Sequence, residues 1–150
     1  MIEIILQYKL FLIPIVVIIF AQFIKFCRLS IKHGFNWDNL LNPGHFPSAH
    51  SAFVTSLVVI IGYYESITSG VFAVAACFAF LTIYDAMRVR MHIGLQGETL
   101  NKLVKEIDSI DSKKFPRLKE HVGHYANEVV GGIGVGLFVS MFLIWLITFI

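Results

Sequence analysis

The sequence predicts an all-α fold, an integral membrane helical bundle of about four transmembrane helices with a cytoplasmic helical extension. Hydrophobic residues make up 57% of the 150-residue chain and charged residues 15%, whereas soluble domains average roughly 45–50% and 25%. The formal net charge is only +2 and no basic run with interleaved aromatic residues is present, so nucleic acid is not expected as a partner. We expect residues 1–150 to form a single membrane-embedded domain.

Four apolar stretches predict the membrane helices. They run from Leu10 to about Phe26, from Ser51 to Tyr64, from Val71 to Tyr84 and from Val129 to Ile150. A cleaved signal peptide is the alternative for the first stretch, but Ala21-Gln22-Phe23 is a poor small-residue cleavage site. The second and third stretches are shorter than the roughly 20 residues of a span. We therefore expect their helices to extend into the polar sequence beside them.

The basic residues indicate the orientation. Of the 12 lysines and arginines, all except Lys9 follow the first span or lie between the third and fourth spans. By the positive-inside rule both long connections face the cytoplasm. In the second long connection, Met91–Ile107 has the pattern of a helix with one apolar face. The polar segment Asp108–Pro116 is expected to be a loop that follows this helix.

Three polar motifs lie beside the apolar stretches, and the inferred orientation puts all of them on the cytoplasmic side. They are Phe46–Ala52, Tyr84–Arg90 and Gly123–Glu128. In the first motif, Pro47 suits the first turn of a helix. Helix-start N–H groups and the Ser48 hydroxyl could hold a phosphate, and His50 could protonate a leaving oxygen. The alternative is a helix cap, in which Ser48 or Ser51 satisfies backbone donors and His50 contacts water.

The third motif places a histidine and a carboxylate four residues apart. If the fourth span begins here, His124 and Glu128 share one helical face, and the carboxylate can hold the imidazole with its other nitrogen free to attack phosphorus. A purely structural pair that caps the helix is the alternative. The glycines that follow, Gly131, Gly132, Gly134 and Gly136, favour close approach of a neighbouring helix.

The middle motif carries cations where the third span should leave the membrane. Arg88 and Arg90 suit phosphate because a guanidinium forms two parallel hydrogen bonds and stays charged. They would equally serve as membrane-surface anchors. Asp85 is expected to pair with one of them.

Taken together, the motifs resemble the type 2 phosphatidic acid phosphatase and vanadium haloperoxidase superfamily, and most closely its divergent bacterial and plant branch. The resemblance rests on Pro47-Ser48-x-His50-Ser51-Ala52, Tyr84-Asp85-Ala86-x-x-Val89-Arg90, Gly94-x-Gln96, Asn101, Gly123-His124-x-x-x-Glu128-Val129, Gly132 and Ala21-Gln22-x-x-Lys25. Two arginines of the wider superfamily have no counterpart, since Lys-x6-Arg-Pro is missing and position 118 is leucine.

The resemblance implies a role for each matching residue. His124 would attack phosphorus and form a phosphohistidine, Glu128 would orient it, and His50 would protonate the leaving alcohol. Ser48 would contact the phosphate, together with Lys25 and Asp85. Arg90 is the candidate replacement for the missing arginines. No cofactor or metal is expected.

These implications lead to an expected function. The chain is expected to be a metal-independent lipid phosphate phosphatase acting on a phospholipid or polyprenyl phosphate. We expect it in the bacterial inner membrane with the active site on the cytoplasmic side, and the glycine-lined face is compatible with a homodimer. Two alternatives stay open at this point. A metal-dependent hydrolase or transporter would use His121, His124 and Glu128 as ligands, and a non-catalytic scaffold would use the motifs only as caps and ion pairs.

The orientation gives the first testable prediction. Reporter fusions placed between Lys102 and Lys119 should read as cytoplasmic, because the basic residues concentrate on that side. Fusions within 65–69, in the short connection that lacks basic residues, serve as the matched control and should read as external. An external signal from the first set would reverse the orientation.

Overall fold

The computed structural model describes residues 8–37, 45–107, 115–120 and 122–149, and the regular structure in these ranges is entirely helical. The helices are α1 (Lys9–His33), α2 (Ala49–Tyr64), α3 (Gly70–Tyr84), α4 (Arg90–Glu106) and α5 (Ala126–Thr148). A π-helical segment, Asp85–Val89, joins α3 to α4 without a break. The helix expected over Met91–Ile107 is thus confirmed, and most of the loop expected after it lies outside the described residues.

The lengths of the helices confirm a membrane bundle with an extension. The helices Lys9–Lys32 and Ala126–Thr148 and the continuous helix Gly70–Glu106 are long and apolar enough to cross a membrane, and Ala49–Tyr64 is a shorter apolar helix. The 37 residues of Gly70–Glu106 would measure about 55 Å at 1.5 Å per residue. Because the hydrocarbon core is only about 30 Å thick, much of α4 must project beyond it.

Helix α2 is the centre of the bundle, since α1, α3 and α5 all pack against it. Its buried side chains are small or aliphatic, from Ala49 and Ala52 to Ile60 and Ile61. Residues of α1, α2 and α5 form the main core cluster: Ile13, Val17, Ala21, Ala49, Ala52, Ile60 and Ile144. An apolar helix with neighbours on three sides needs no polar face, which explains why α2 can be almost uncharged.

Helices α2 and α5 run parallel along a seam of small residues. Gly132 lies against Ser48, Gly136 against Ala52, and the Ser140 hydroxyl donates to the Ser56 hydroxyl at 2.8 Å. A Cβ atom at Gly136 would stand only 2.6 Å from the Ala52 carbonyl oxygen. Small residues at every fourth position on both helices are what allow two backbones to approach this closely in lipid.

The seam aligns the beginnings of the two helices. The Ser48 N–H, just before α2, donates to the carbonyl of Glu128 in the first turn of α5 at 2.9 Å. The first and third polar motifs therefore meet at one end of the bundle. Of the glycines after the third motif, Gly132 and Gly136 serve helix packing as expected from the sequence, whereas a Cβ at Gly134 would meet no neighbour.

The seam predicts different effects for two glycine substitutions in α5. Gly132→Ala should destabilise the protein by about 1–3 kcal/mol, because the new methyl group would overlap the Ser48 carbonyl oxygen and force the helices apart. Gly134→Ala is the matched control, because a Cβ there meets nothing within 4 Å. It should be neutral or stabilising by up to about 1 kcal/mol. Thermal unfolding in mild detergent measures both, and equal effects would contradict the seam.

Candidate active site

A buried histidine–glutamate pair lies at the aligned helix ends. Nδ1 of His124 is 2.9 Å from Oε2 of Glu128, and the side chains are only 9% and 10% exposed. The same carboxylate oxygen accepts the Tyr125 N–H at 3.2 Å. A hydrogen bond to Nδ1 fixes the ring orientation and leaves Nε2 as the nitrogen that can react.

The pair forms in a different way from the one that the sequence predicted. Helix α5 begins at Ala126, with Tyr125 as its N-cap, so His124 precedes the helix and does not share a helical face with Glu128. Glu128 instead reaches back over the start of the helix, as a glutamate at the third helical position commonly does to satisfy a free backbone N–H. The expected contact is present, but helix capping produces it.

A backbone hydrogen bond anchors His124 to the π-helical segment. The His124 N–H donates to the Ala86 carbonyl at 3.0 Å. In an α-helix that carbonyl would accept the N–H of Arg90, which here bonds to the Asp85 carbonyl. The wider π turn thus makes the Ala86 oxygen available to the third motif. Sequence reasoning missed this contact, because any residue supplies a carbonyl and no residue type marks the position.

Ser48 is the N-cap of α2, and Pro47 lies just before the cap and not in the first turn as predicted. The Ser48 Oγ accepts from the Ser51 hydroxyl at 2.9 Å and from the Ser51 N–H at 3.4 Å. Both serines are fully buried. The capping interpretation of Ser48 is therefore confirmed. Since these bonds use Ser48 as an acceptor, the proton of its own hydroxyl is the part that a phosphate contact would require.

The expected pairing of Asp85 is confirmed, with Arg90 as the partner. The Arg90 Nε lies 2.7 Å from the Asp85 Oδ2, with side chains 44% and 40% exposed. An ion pair this exposed adds at most about 1 kcal/mol to stability, but it holds the guanidinium in one plane. The bond uses Nε, and the two terminal amino groups of Arg90 are not part of it.

His50 links the three motifs electrostatically. It lies in the first turn of α2, exposed, and close enough to Lys25, Arg90, His124 and Asp85 to interact with their charges. Lys25, on α1, is buried and interacts electrostatically with Glu128. The structure thus gathers all seven sequence-predicted site residues at one end of the bundle. Ionisable groups at a membrane boundary usually mark a functional site.

A cavity of about 310 Å³ opens next to His124 on the side of α4. Its lining is Met91, Leu95, Glu98, Glu120, Val122, Gly123, His124 and Tyr125, so His124 is the one predicted site residue that borders it. A hydrogen bond from Asn101 lowers the pKa of Glu120, which is therefore ionised at neutral pH. Carboxylates on this wall repel a phosphate, so the cavity is a poorer anion site than the surroundings of Lys25, His50 and Arg90.

The metal-ligand alternative receives no support from the described residues. His121, one of its three ligands, lies outside them. Within the described ranges, no three His, Cys, Asp or Glu side chains cluster so as to hold a metal ion.

Comparison with known proteins shows the family. The sequence pattern described as the Divergent PAP2 family matches residues 6–139. The chain belongs to the divergent PAP2 family. Among its relatives is a Bacillus subtilis (strain 168) protein named uncharacterized membrane protein YuiD, which is 36% identical over 138 residues, or 84% of this chain and 87% of YuiD. No solved structure matches the chain.

Family membership confirms the resemblance drawn from the motifs. As a divergent PAP2 protein the chain is an integral membrane, PAP2-like protein. The match covers the first, second and third motifs and ends within α5. All seven candidate residues therefore lie inside the matched region.

Arg90 and Arg88 give a matched pair of substitutions. Arg90→Lys keeps the charge and loses the planar fork that pairs with Asp85 and that would hold phosphate bidentately. For the lipid phosphate phosphatase that the sequence leads us to expect, this substitution should reduce phosphate release about 100-fold. Arg88→Lys makes the same change two residues away on an exposed side chain and should retain activity. If Arg90→Lys and Arg88→Lys are equally active, Arg90 is only a membrane-surface anchor.

Proposed function

We propose that this divergent PAP2 protein is a metal-independent phosphatase that removes phosphate from a lipid phosphate through a phosphohistidine intermediate. The observation that carries the proposal is the buried 2.9 Å contact between His124 Nδ1 and Glu128 Oε2. A carboxylate at Nδ1 keeps the proton there and leaves the Nε2 lone pair free, which is what a nucleophilic imidazole requires.

In the proposed first step, Nε2 of His124 attacks phosphorus and the bond from phosphorus to the ester oxygen breaks. Protonated His50 gives its proton to the leaving alkoxide. As the ring of His124 becomes positively charged, Glu128 stabilises it across the Nδ1 hydrogen bond. Lys25, Arg90 and the Ser48 hydroxyl would balance the charge on the three other phosphoryl oxygens.

In the proposed second step, neutral His50 accepts a proton from water while the water oxygen attacks the phosphohistidine. The bond from phosphorus to nitrogen breaks, inorganic phosphate leaves, and His124 regains its free lone pair. His50 ends this step protonated and ready for the next first step, so the two histidines return to their initial states. His50 can do this because it is exposed at the edge of the site, where both water and a leaving group have access.

The position of the site supports a lipid as the substrate. The 16 residues of α2 span about 24 Å, which is about 6 Å less than a typical hydrocarbon core. The cationic groups near the start of α2, which are Lys25, His50 and Arg90, therefore lie close to the boundary between lipid tails and water. A phospholipid or polyprenyl phosphate can keep its tail in the bilayer there while its phosphate reaches Lys25 and Arg90. The positive-inside rule supports a site on the cytoplasmic side of the inner membrane.

A non-catalytic scaffold is the second candidate, and the capping bonds favour it. Glu128 satisfies the Tyr125 N–H and Ser48 satisfies the Ser51 N–H, which are functions that require no chemistry. Capping alone, however, does not require a buried histidine on the same carboxylate or a buried lysine beside it. The two candidates make opposite predictions for substitutions at His124.

The histidine substitutions separate these candidates. His124→Ala should abolish phosphate release, because no other group replaces the attacking nitrogen. Glu128→Gln keeps an oxygen that can accept the Tyr125 N–H, so it should fold normally and retain a small residual activity. His92→Ala, which removes an exposed histidine of α4, is the control and should be fully active.

The assay uses purified protein and a panel of lipid phosphates. Activity should resist chelators and be inhibited by vanadate, which would separate the phosphatase from a metal-dependent hydrolase. Normal turnover in a pure, folded His124→Ala sample would end the proposed mechanism. Absence of turnover on every lipid, with folded wild-type protein, would favour the scaffold.

A further inference from the structure

Residues 118–120 and 122–124, which we call the strap, lead along α4 to His124. One end of the strap is held by Asn101 of α4. The Asn101 Nδ2 donates to the Leu118 carbonyl at 2.9 Å, and its Oδ1 accepts the Leu118 N–H at 3.0 Å. Nδ2 also donates to Glu120 Oε1 at 3.0 Å. The carboxamide thus uses both of its donor hydrogens and its acceptor on the strap.

Between its ends the strap lies directly on the backbone of α4. A Cβ at Gly97 would be 2.7 Å from the Lys119 carbonyl oxygen, and a Cβ at Gly94 would be 2.5 Å from that of Glu120. Only glycine at these two helical positions permits such close approach. The strap and α4 are therefore packed against each other without intervening side chains at these points.

The other end of the strap is the hydrogen bond from the His124 N–H to the Ala86 carbonyl, at 3.0 Å. The last glycine of the strap also lies on the α4 backbone, since a Cβ at Gly123 would be 2.7 Å from the Met91 backbone nitrogen. The described residues of the strap therefore follow α4 in close backbone contact between its two attachments.

We infer that Asn101 is a positioning residue for His124. Because Asn101 makes three hydrogen bonds to Leu118 and Glu120, it holds the strap against the α4 backbone, and the position of His124 at the end of the strap depends on that contact. Releasing Leu118 would let the strap shift and displace the imidazole while Lys25, His50 and Arg90 stay in place. This inference rests on the proposed function, since it assigns Asn101 to the reaction of His124.

The test compares Asn101→Ala with Thr99→Ala in the full-length protein in detergent. Thr99 is exposed on the same helix, and its hydroxyl bonds only to the Leu95 carbonyl one turn earlier, at 2.9 Å. Hydrogen exchange at residues 122–125 should become at least about 10-fold faster in Asn101→Ala, and exchange in α5 should not change. With a lipid phosphate, kcat should fall about 10- to 100-fold with KM little changed, because displacement by about 1 Å is enough to lose that much rate. Thr99→Ala should change neither quantity.

A double substitution supplies a rescue. Asn101→Asp removes both donors and puts a second carboxylate beside Glu120, so kcat should fall at least as far as in Asn101→Ala. Adding Glu120→Gln returns an amide donor to the contact from the other side, and it should restore slow exchange and part of kcat.

The outcomes separate the inference from the proposed function. If exchange at 122–125 is unchanged in Asn101→Ala, or if it rises while kcat stays at the Thr99→Ala value, Asn101 does not position His124. If the wild-type protein releases phosphate from no lipid, the proposed function fails. In that case faster exchange in Asn101→Ala still supports the attachment as the group that holds His124, and unchanged exchange overturns it.

Discussion

Small residues at every fourth position hold α2 and α5 in parallel contact, from Ser48 and Gly132 at one end to Ser56 and Ser140 further along. Two parallel helices in direct contact have their N-termini side by side. This brings two sets of positive dipole ends, together with Lys25 of α1, to one point at the membrane boundary. The buried carboxylate of Glu128 is tolerated there because cationic and N–H groups surround it. The seam is thus the constraint that makes a polar site possible in a chain this apolar.

The chemistry of the site depends on backbone groups at helix ends as much as on side chains. Ser48 and Glu128 each satisfy an N–H that a helix start leaves free. The π turn at Asp85–Val89 redirects one hydrogen bond, and the Ala86 carbonyl becomes the anchor of His124. In each case a group that belongs to the hydrogen bonding of a helix also helps to build the candidate site. A bundle of about four helices can therefore support several convergent polar groups.

Much of the architecture could be predicted from the sequence, because hydrophobic length and the positions of Gly, Pro and charged residues act locally. The membrane bundle, the helix after Met91 and the packing role of Gly132 and Gly136 all follow from such signals. The start of α5 did not, since the apolar stretch begins only at Val129, inside the helix, and only the capping geometry of Glu128 shows that His124 precedes the helix. The π turn was also missed, because it depends on a tertiary contact with His124 that no local pattern encodes.

The candidate site, too, was predicted where side-chain identity carries the signal and missed where tertiary contacts do. Motif order and the family resemblance selected seven residues, because these residues carry the charges and rings that the chemistry needs. The structure brings all seven together at one end of the bundle. The contacts of Asn101 were not foreseen, because its partners are the backbone of Leu118 and a surface glutamate far along the chain. Side-chain identity predicts which groups can react, whereas long-range backbone contacts decide where those groups stand.

The central claim is that His124 carries the phosphoryl group during turnover. The most direct measurement is rapid quenching of the wild-type protein with a ³²P-labelled lipid phosphate, followed by mapping of the label by mass spectrometry under alkaline conditions that preserve phosphohistidine. Label should appear on His124 before free phosphate does, and it should disappear as the lipid is consumed. Phosphate release without label on His124, or label confined to another residue, would contradict the central claim.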